Sequence, residues 1–191
     1  VPVHRWFAAL LLCLLPAARA PAADDAVREY VDETTAASIT ASAGVLIFAR
    51  ERTDLAVNAR DYVTLVPVEI NRSGKRACFW SGYLWSTIDR RNRQPWLAEG
   101  DDLVLLADGR PLPLRISGKT LKDQGAAEPI TPSPARNAIP VLFPATVEEI
   151  AYVAHATEVR IELLHAGTNE TFVLWKGRPG AFTAFSEHVS P

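Results

Sequence analysis

"DYVTLVPVEINRSGKRACFWSGYLWST", Asp61 to Thr87, is the stretch on which the fold turns. It is rich in β-branched and aromatic residues and is interrupted once, at Ser73-Gly74. That pair suits a two-residue hairpin turn, because Gly74 takes a positive φ at no steric cost. With those two residues as the loop, Ile70 faces Ala77, Val68 faces Phe79, Thr64 faces Tyr83 and Tyr62 faces Trp85. Val63 with Leu84 and Pro67 with Trp80 then fall on the opposite side, since successive strand residues point to opposite faces. Both faces are apolar, so the hairpin is expected to lie between two layers. Pro67 has no N–H to give to a ladder, which requires a bulge or a free edge beside it. Phe79, Tyr83 and Trp85 share one face and Trp80 takes the other, an arrangement that favours core packing over a continuous aromatic platform. The polar tail that follows carries Arg90, Arg91, Arg93 and Trp96, the candidate contact residues for an acidic partner or a glycan. A solvated loop, its charge partly offset by Asp89, is the competing reading.

Working outward, "DDAVREYVDET" (24–34) predicts a short helix with Ala26, Val27, Tyr30 and Val31 on one side. "ASITASAGVLIFARE" (37–51) predicts strand, Gly-marked turn, strand, and the run Val45 to Phe48 suits burial on both faces. "DDLVLLADGRPLPLRI" (101–116) predicts a second hairpin at Asp108-Gly109, with Pro111 and Pro113 on one side of an edge strand that resists further pairing. Periodicity vanishes from Ser117 to Asn137, the pattern of a long surface loop or linker. A strand from Ala138 to Phe143 follows. Thr146 and Glu149 are then spaced as a capping box, and Val147, Ile150, Ala151 and Ala154 repeat at helical intervals. Two more strands and a helix presenting Phe182, Phe185 and Val189 complete the chain. The expectation is an α+β fold. A mainly antiparallel, sandwich-like β body spans 23–120, a Pro-rich loop or linker 121–137, and a β-α-β-β-α segment 138–191 packs on the body. A single domain over 23–191 is the alternative.

The N-terminus reads differently. "VPVHRWFAALLLCLLPAARAPAADD" has a basic start, an apolar run from Trp6 to Leu15 and small residues before Asp24, the pattern of a secretory signal cleaved after Ala22. The run is too short to span a bilayer, so no membrane span is expected after cleavage. Cys13 suggests a lipoprotein signal, but Leu12 before it and further apolar residues after it depart from that pattern. Removing residues 1–22 leaves Cys78 as the sole cysteine, expected as a small buried hydrophobe. Arginine dominates among the 20 basic residues, Met is absent and Val stands first, which together suggest a GC-rich bacterial gene with an alternative start codon. The sequons at Asn71 and Asn169 are then expected to carry no glycan. The protein is expected to be periplasmic or secreted.

Net charge is −2 and no long run of one sign occurs, so the chain lacks the electrostatic footprint of a nucleic-acid binder. The hydrolase elbow, zinc-protease, P-loop and dinucleotide motifs are absent from the sequence. His155, His165 and His188 share no helical face, so no metal ligand set and no cofactor is encoded locally. The adjacent carboxylates at 24–25, 101–102 and 148–149 point apart and suit solvation or helix capping. Arg60 and Asp61 are expected to form a local surface ion pair. The function expected is that of a non-enzymatic envelope protein acting through protein or glycan contacts. The rival is a small periplasmic hydrolase whose site forms only in three dimensions.

Overall fold

The computed structural model describes residues 26–88, 102–165 and 168–190. These hold ten strands: β1 (Val27–Asp32), β2 (Ala37–Ser42), β3 (Leu46–Glu51), β4 (Arg60–Arg72), β5 (Lys75–Ser86), β6 (Asp102–Ala107), β7 (Arg110–Leu114), β8 (Ile139–Ala145), β9 (Val159–His165) and β10 (Thr168–Lys176). Three short α-helices accompany them: α1 (Leu121–Gln124), α2 (Val147–His155) and α3 (Thr183–Val189), the last preceded by a 3₁₀ turn at Pro179–Phe182. All strand pairs are antiparallel, and the fold is α+β and mainly β. The signal-like residues 1–22 lie outside the described residues.

β4 and β5 pair in the register expected from the sequence, from Asp61↔Ser86 to Arg72↔Lys75. Ser73 and Gly74 both have positive φ, as a type I′ turn demands, and so do Asp108 and Gly109 in the second hairpin. β4 is long enough to serve two partners on its other edge. Arg60–Leu65 pairs with β3, and Val68–Asn71 pairs with β2. Pro67 falls in the gap between them, where no ladder partner needs its missing N–H. Beyond β3 the sheet continues through β10, β9, β6 and β7, and β8 adds to the free side of β5.

The sheet curls. Inward side chains of β3 through β10 meet in one cluster that includes Phe48, Trp80, Leu105, Leu114, Phe143 and Phe172. The sheet's two ends, β7 and β8, approach each other, and Ser117 N–H donates to the Leu142 carbonyl at 3.1 Å. Ile150 and Val153 of α2 and Phe185 and Val189 of α3 close one end. The Thr146–Glu149 capping box forms as expected. Gly82 lies opposite Leu65, and a Cβ there would run into the Thr64 carbonyl, so only glycine permits this approach of β5 to β4. The Thr64 hydroxyl accepts from the Tyr83 N–H at 2.8 Å at the same place.

A second apolar cluster lies on the outer face of β2, β4, β5 and β8, around Ile39, Val68, Ile70 and Phe79. Its cover comes from the stretch expected to be a bare loop. Thr120 and Asp123 form a second capping box around α1, and Ala126 and Ile130 are buried against the sheet. Four anchors hold this strap. Asp32 Oδ2 accepts from Ala127 N–H at 2.6 Å, Tyr83 Oη donates to the Thr131 carbonyl at 2.8 Å, Thr35 Oγ1 donates to the Gly125 carbonyl, and Arg28 reaches the Ile130 carbonyl at 3.5 Å.

One expectation is corrected outright. Residues 27–32 form an edge strand, paired with β2 from Val27↔Ser42 to Asp32↔Ala37, and not a helix. An isolated helix of this length is marginal, so the ladder offered by β2 prevails. Asp32 then ends the strand by accepting from the Thr34 and Thr35 N–H groups.

Candidate contact face and the ion cluster beneath it

The end of the curled sheet opposite the helices gathers the C-terminus of β3 and the N-termini of β4 and β10. Ser86 of β5 and Asp102 of β6 lie there too, the first opposite Asp61 and the second opposite Leu164. The segment bearing Arg90, Arg91, Arg93 and Trp96 therefore leaves and re-enters the fold at this end, but those four residues lie outside the described ones.

Strand alternation divides this end into an inside and an outside. Inside, Asp61 is wholly buried. Its Oδ2 accepts from Arg50 Nη2 at 2.7 Å and from Arg52 Nη1 at 2.8 Å. Arg52 also forks onto the Asp54 carboxylate, with bonds of 2.8 and 2.7 Å. Arg50 pairs with Glu170, and its guanidinium lies 4.9 Å from the centre of the Phe172 ring. The expected Arg60–Asp61 pair does not form. The two are neighbours on one strand and point to opposite faces, and Arg60 instead meets Glu51 across the ladder at 3.2 Å. This ion cluster escaped the sequence reading. Its signal is "ARER" (49–52), two arginines at period 2 leaving a strand whose antiparallel partner has Asp61 as its second residue.

Outside, a row crosses the sheet in register: Val173, Ala49, Tyr62 and Trp85. Tyr62 and Trp85 stack at 4.0 Å with their planes 11° apart. Ala49 leaves a low floor between Tyr62 and β10. Arg60 covers one side of this floor, its guanidinium 4.5 Å from the centre of the Trp175 ring. A bulge between Leu174 and Lys176 accompanies the turn of Trp175 to the surface. Trp175 and Val173 remain 55% and 58% exposed. The Trp85 indole N–H is buried with no hydrogen-bond partner among the described residues.

The other sequence candidates scatter. Trp80 is in the main core, Phe79 and Tyr83 lie under the strap, and only Trp85 reaches the outer row. Cys78 is half-buried, its thiol pushed up to about 11 by burial, with Glu69 adding to the shift and Arg76 opposing it. The ring of His155 meets the Ala151 carbonyl at 2.7 Å in the last turn of α2, as a helix-end residue does. His188 is on α3, at the same helix-capped end, 3.6 Å from Glu29. No group of three His, Cys, Asp or Glu side chains placed to hold a metal occurs among the described residues. No helix among them is long and apolar enough to cross a membrane.

No family model, curated protein or solved structure matches this chain.

Proposed function

We propose that the protein is an exported component of a bacterial envelope, periplasmic or secreted, that works by non-covalent contact. Its contact residues are Val173, Trp175, Arg60 and Trp85, set around the buried floor of Ala49 and Tyr62, and the sequence candidates Arg90, Arg91, Arg93 and Trp96, which lie outside the described residues, are proposed to act with them. The observation that carries the reading is Trp175, more than half exposed, held under a guanidinium beside an equally exposed valine. Leaving the Trp175 ring half in water forgoes burial energy, and an exposed ring beside an exposed valine makes this the candidate interaction site. Trp, Tyr and Arg are also the residue types that dominate binding energy at protein interfaces, so a protein partner is favoured over a glycan. Beneath the face, the charges of β3 and β4 are consumed by one another, which suits them to holding strands in place. The N-terminal segment, with its basic start, short apolar run and small-residue site, supports export.

The test is site-specific photo-crosslinking in the native host from a photoreactive residue at position 173. A discrete protein adduct, lost on Trp175→Ala or Arg60→Ala and weakened by salt, is the expected result. Retention on purified cell-wall glycan, with no protein adduct, would move the partner to the glycan class. Absence of both would overturn the reading.

A further inference from the structure

Between the strap and the outer sheet face lies a cleft of about 400 Å³, within the range of roughly 300–1,000 Å³ that holds small ligands. Its walls are apolar, built from the Tyr83 ring, Leu121, Ala126, Pro140 and Leu142. Its hydroxyls are already committed. Tyr83 Oη donates to Thr131, Ser133 Oγ donates to the Ala135 carbonyl at 2.8 Å, and Thr120 is occupied by the α1 cap. The side-chain hydroxyl donors inside are thus used, and a sugar or other polyhydroxylated ligand would leave much of its polar surface against apolar walls, which is costly. The body of any occupant must therefore be apolar.

The rim supplies the other half of the recognition. Lys119 and Lys122 border the cleft, both exposed, and neither forms an ion pair with a described residue. Asp123, beside them, is committed to the cap, its Oδ2 accepting from the Thr120 N–H and hydroxyl, each at 2.8 Å. Glu128 is the one carboxylate in the lining; Asp123 keeps its charge beside both lysines but turns its oxygen to the cap, so the ammonium groups are the free donors at the rim.

We infer that this cleft binds a small amphiphile, an unbranched acyl chain lying between the strap and β8 with its anionic head at Lys119 and Lys122. The site is independent of the outer aromatic row and stands whether or not that row is the contact face.

Decanoate and decanol share a chain and differ in the head, so they are the probes. Titration calorimetry below micellar concentrations should show one saturable decanoate site. Decanol should bind several-fold more weakly. On Lys119→Gln/Lys122→Gln, decanoate should fall by about fivefold or more, towards decanol, and the wild-type preference should shrink as salt rises. Those lysines are exposed, so the double variant should fold normally. Intermolecular NOEs from the decanoate chain to the methyls of Leu121, Ala126 and Leu142 should place it in the cleft. Failure of decanoate to saturate overturns the inference, as does decanol binding the wild type equally well, or bound decanoate that gives NOEs elsewhere.

Discussion

At Cys78 the reading changes the chemistry of a residue without changing its neighbours. The side chain is only half-buried, so a reagent can reach it. Burial nevertheless pushes the thiol up to about 11, against roughly 8.5 for a free cysteine, and only the thiolate is a good nucleophile. Alkylation of the native protein at pH 8 should run roughly a hundredfold slower than that of an unfolded control, and the deficit should close as pH rises through that value. Rapid native labelling at pH 8 would show the thiol to be ionised. The tryptophans divide in a similar way. Trp80 is 2% exposed in the main core, and Trp80→Ala should cost about 3–5 kcal/mol by removing a large ring and leaving a cavity. Trp85 sits at the margin, with a stack worth about 0.5–1.5 kcal/mol beyond its area and an orphaned N–H that costs roughly 1–3 kcal/mol. Trp85→Phe keeps a ring over Tyr62 and deletes the orphan, so denaturant titration should find it near neutral. Alternation in the sequence separated the faces of these rings correctly. It carried no information about what covers each face, and cover is what distinguishes Phe79 from Trp85.

Elements were legible where turn chemistry and period agreed. Ser73-Gly74 and Asp108-Gly109 set two hairpins, and the registers followed residue by residue. Legibility failed where a distant partner decides. Residues 27–32 fit a helical spacing and a strand equally, and β2 settles the matter. The strap buries only a few apolar side chains, too sparse for periodicity, although "TLKD" (120–123), with Thr120 and Asp123 three apart, repeats the capping signature that did reveal α2. The ion cluster is the hardest case, because Phe172 and Glu170 come from β10 and meet β3 only in the folded sheet. Its energetics follow from burial. Asp61→Ala would take from Arg50 and Arg52 the buried carboxylate they share, leaving Arg50 only the half-exposed Glu170, and should cost about 3 kcal/mol. Replacing both partners with apolar residues of similar bulk, Arg50→Met with Asp61→Leu, should recover most of that loss, because Arg52 keeps Asp54 and Glu170 is 42% exposed and can be hydrated. A double variant as unstable as Asp61→Ala alone would show that the charges organise the strands in a way packing cannot replace.

For the molecule as a whole, the open question is whether 23–120 and 138–191 are separable. The main cluster argues against it. Leu46, Leu65 and Leu105 share that cluster with Phe143, Ile161 and Phe185, and β10 is the strand that joins β3 to β9. β8 lies along β5 from Cys78↔Ala145 to Leu84↔Ile139, so even the β4–β5 hairpin of the first segment is completed by the last. Asp108, at the tip of the second hairpin, accepts from the Thr157 and Glu158 N–H groups and so fastens β6 and β7 to the connection after α2. Cutting the chain at the strap would expose the inner face of β3 on one fragment and of β10 on the other, and would break three ladders, β3–β10, β5–β8 and β6–β9, leaving three unpaired strand edges on each fragment. Chemical denaturation followed by tryptophan fluorescence and by far-ultraviolet circular dichroism should therefore give coincident single transitions for residues 23–191. Fragments 23–120 and 138–191 should each be unfolded alone and should regain native circular dichroism only when mixed. Either fragment folding by itself, or two transitions in the intact chain, would establish two units joined at 121–137.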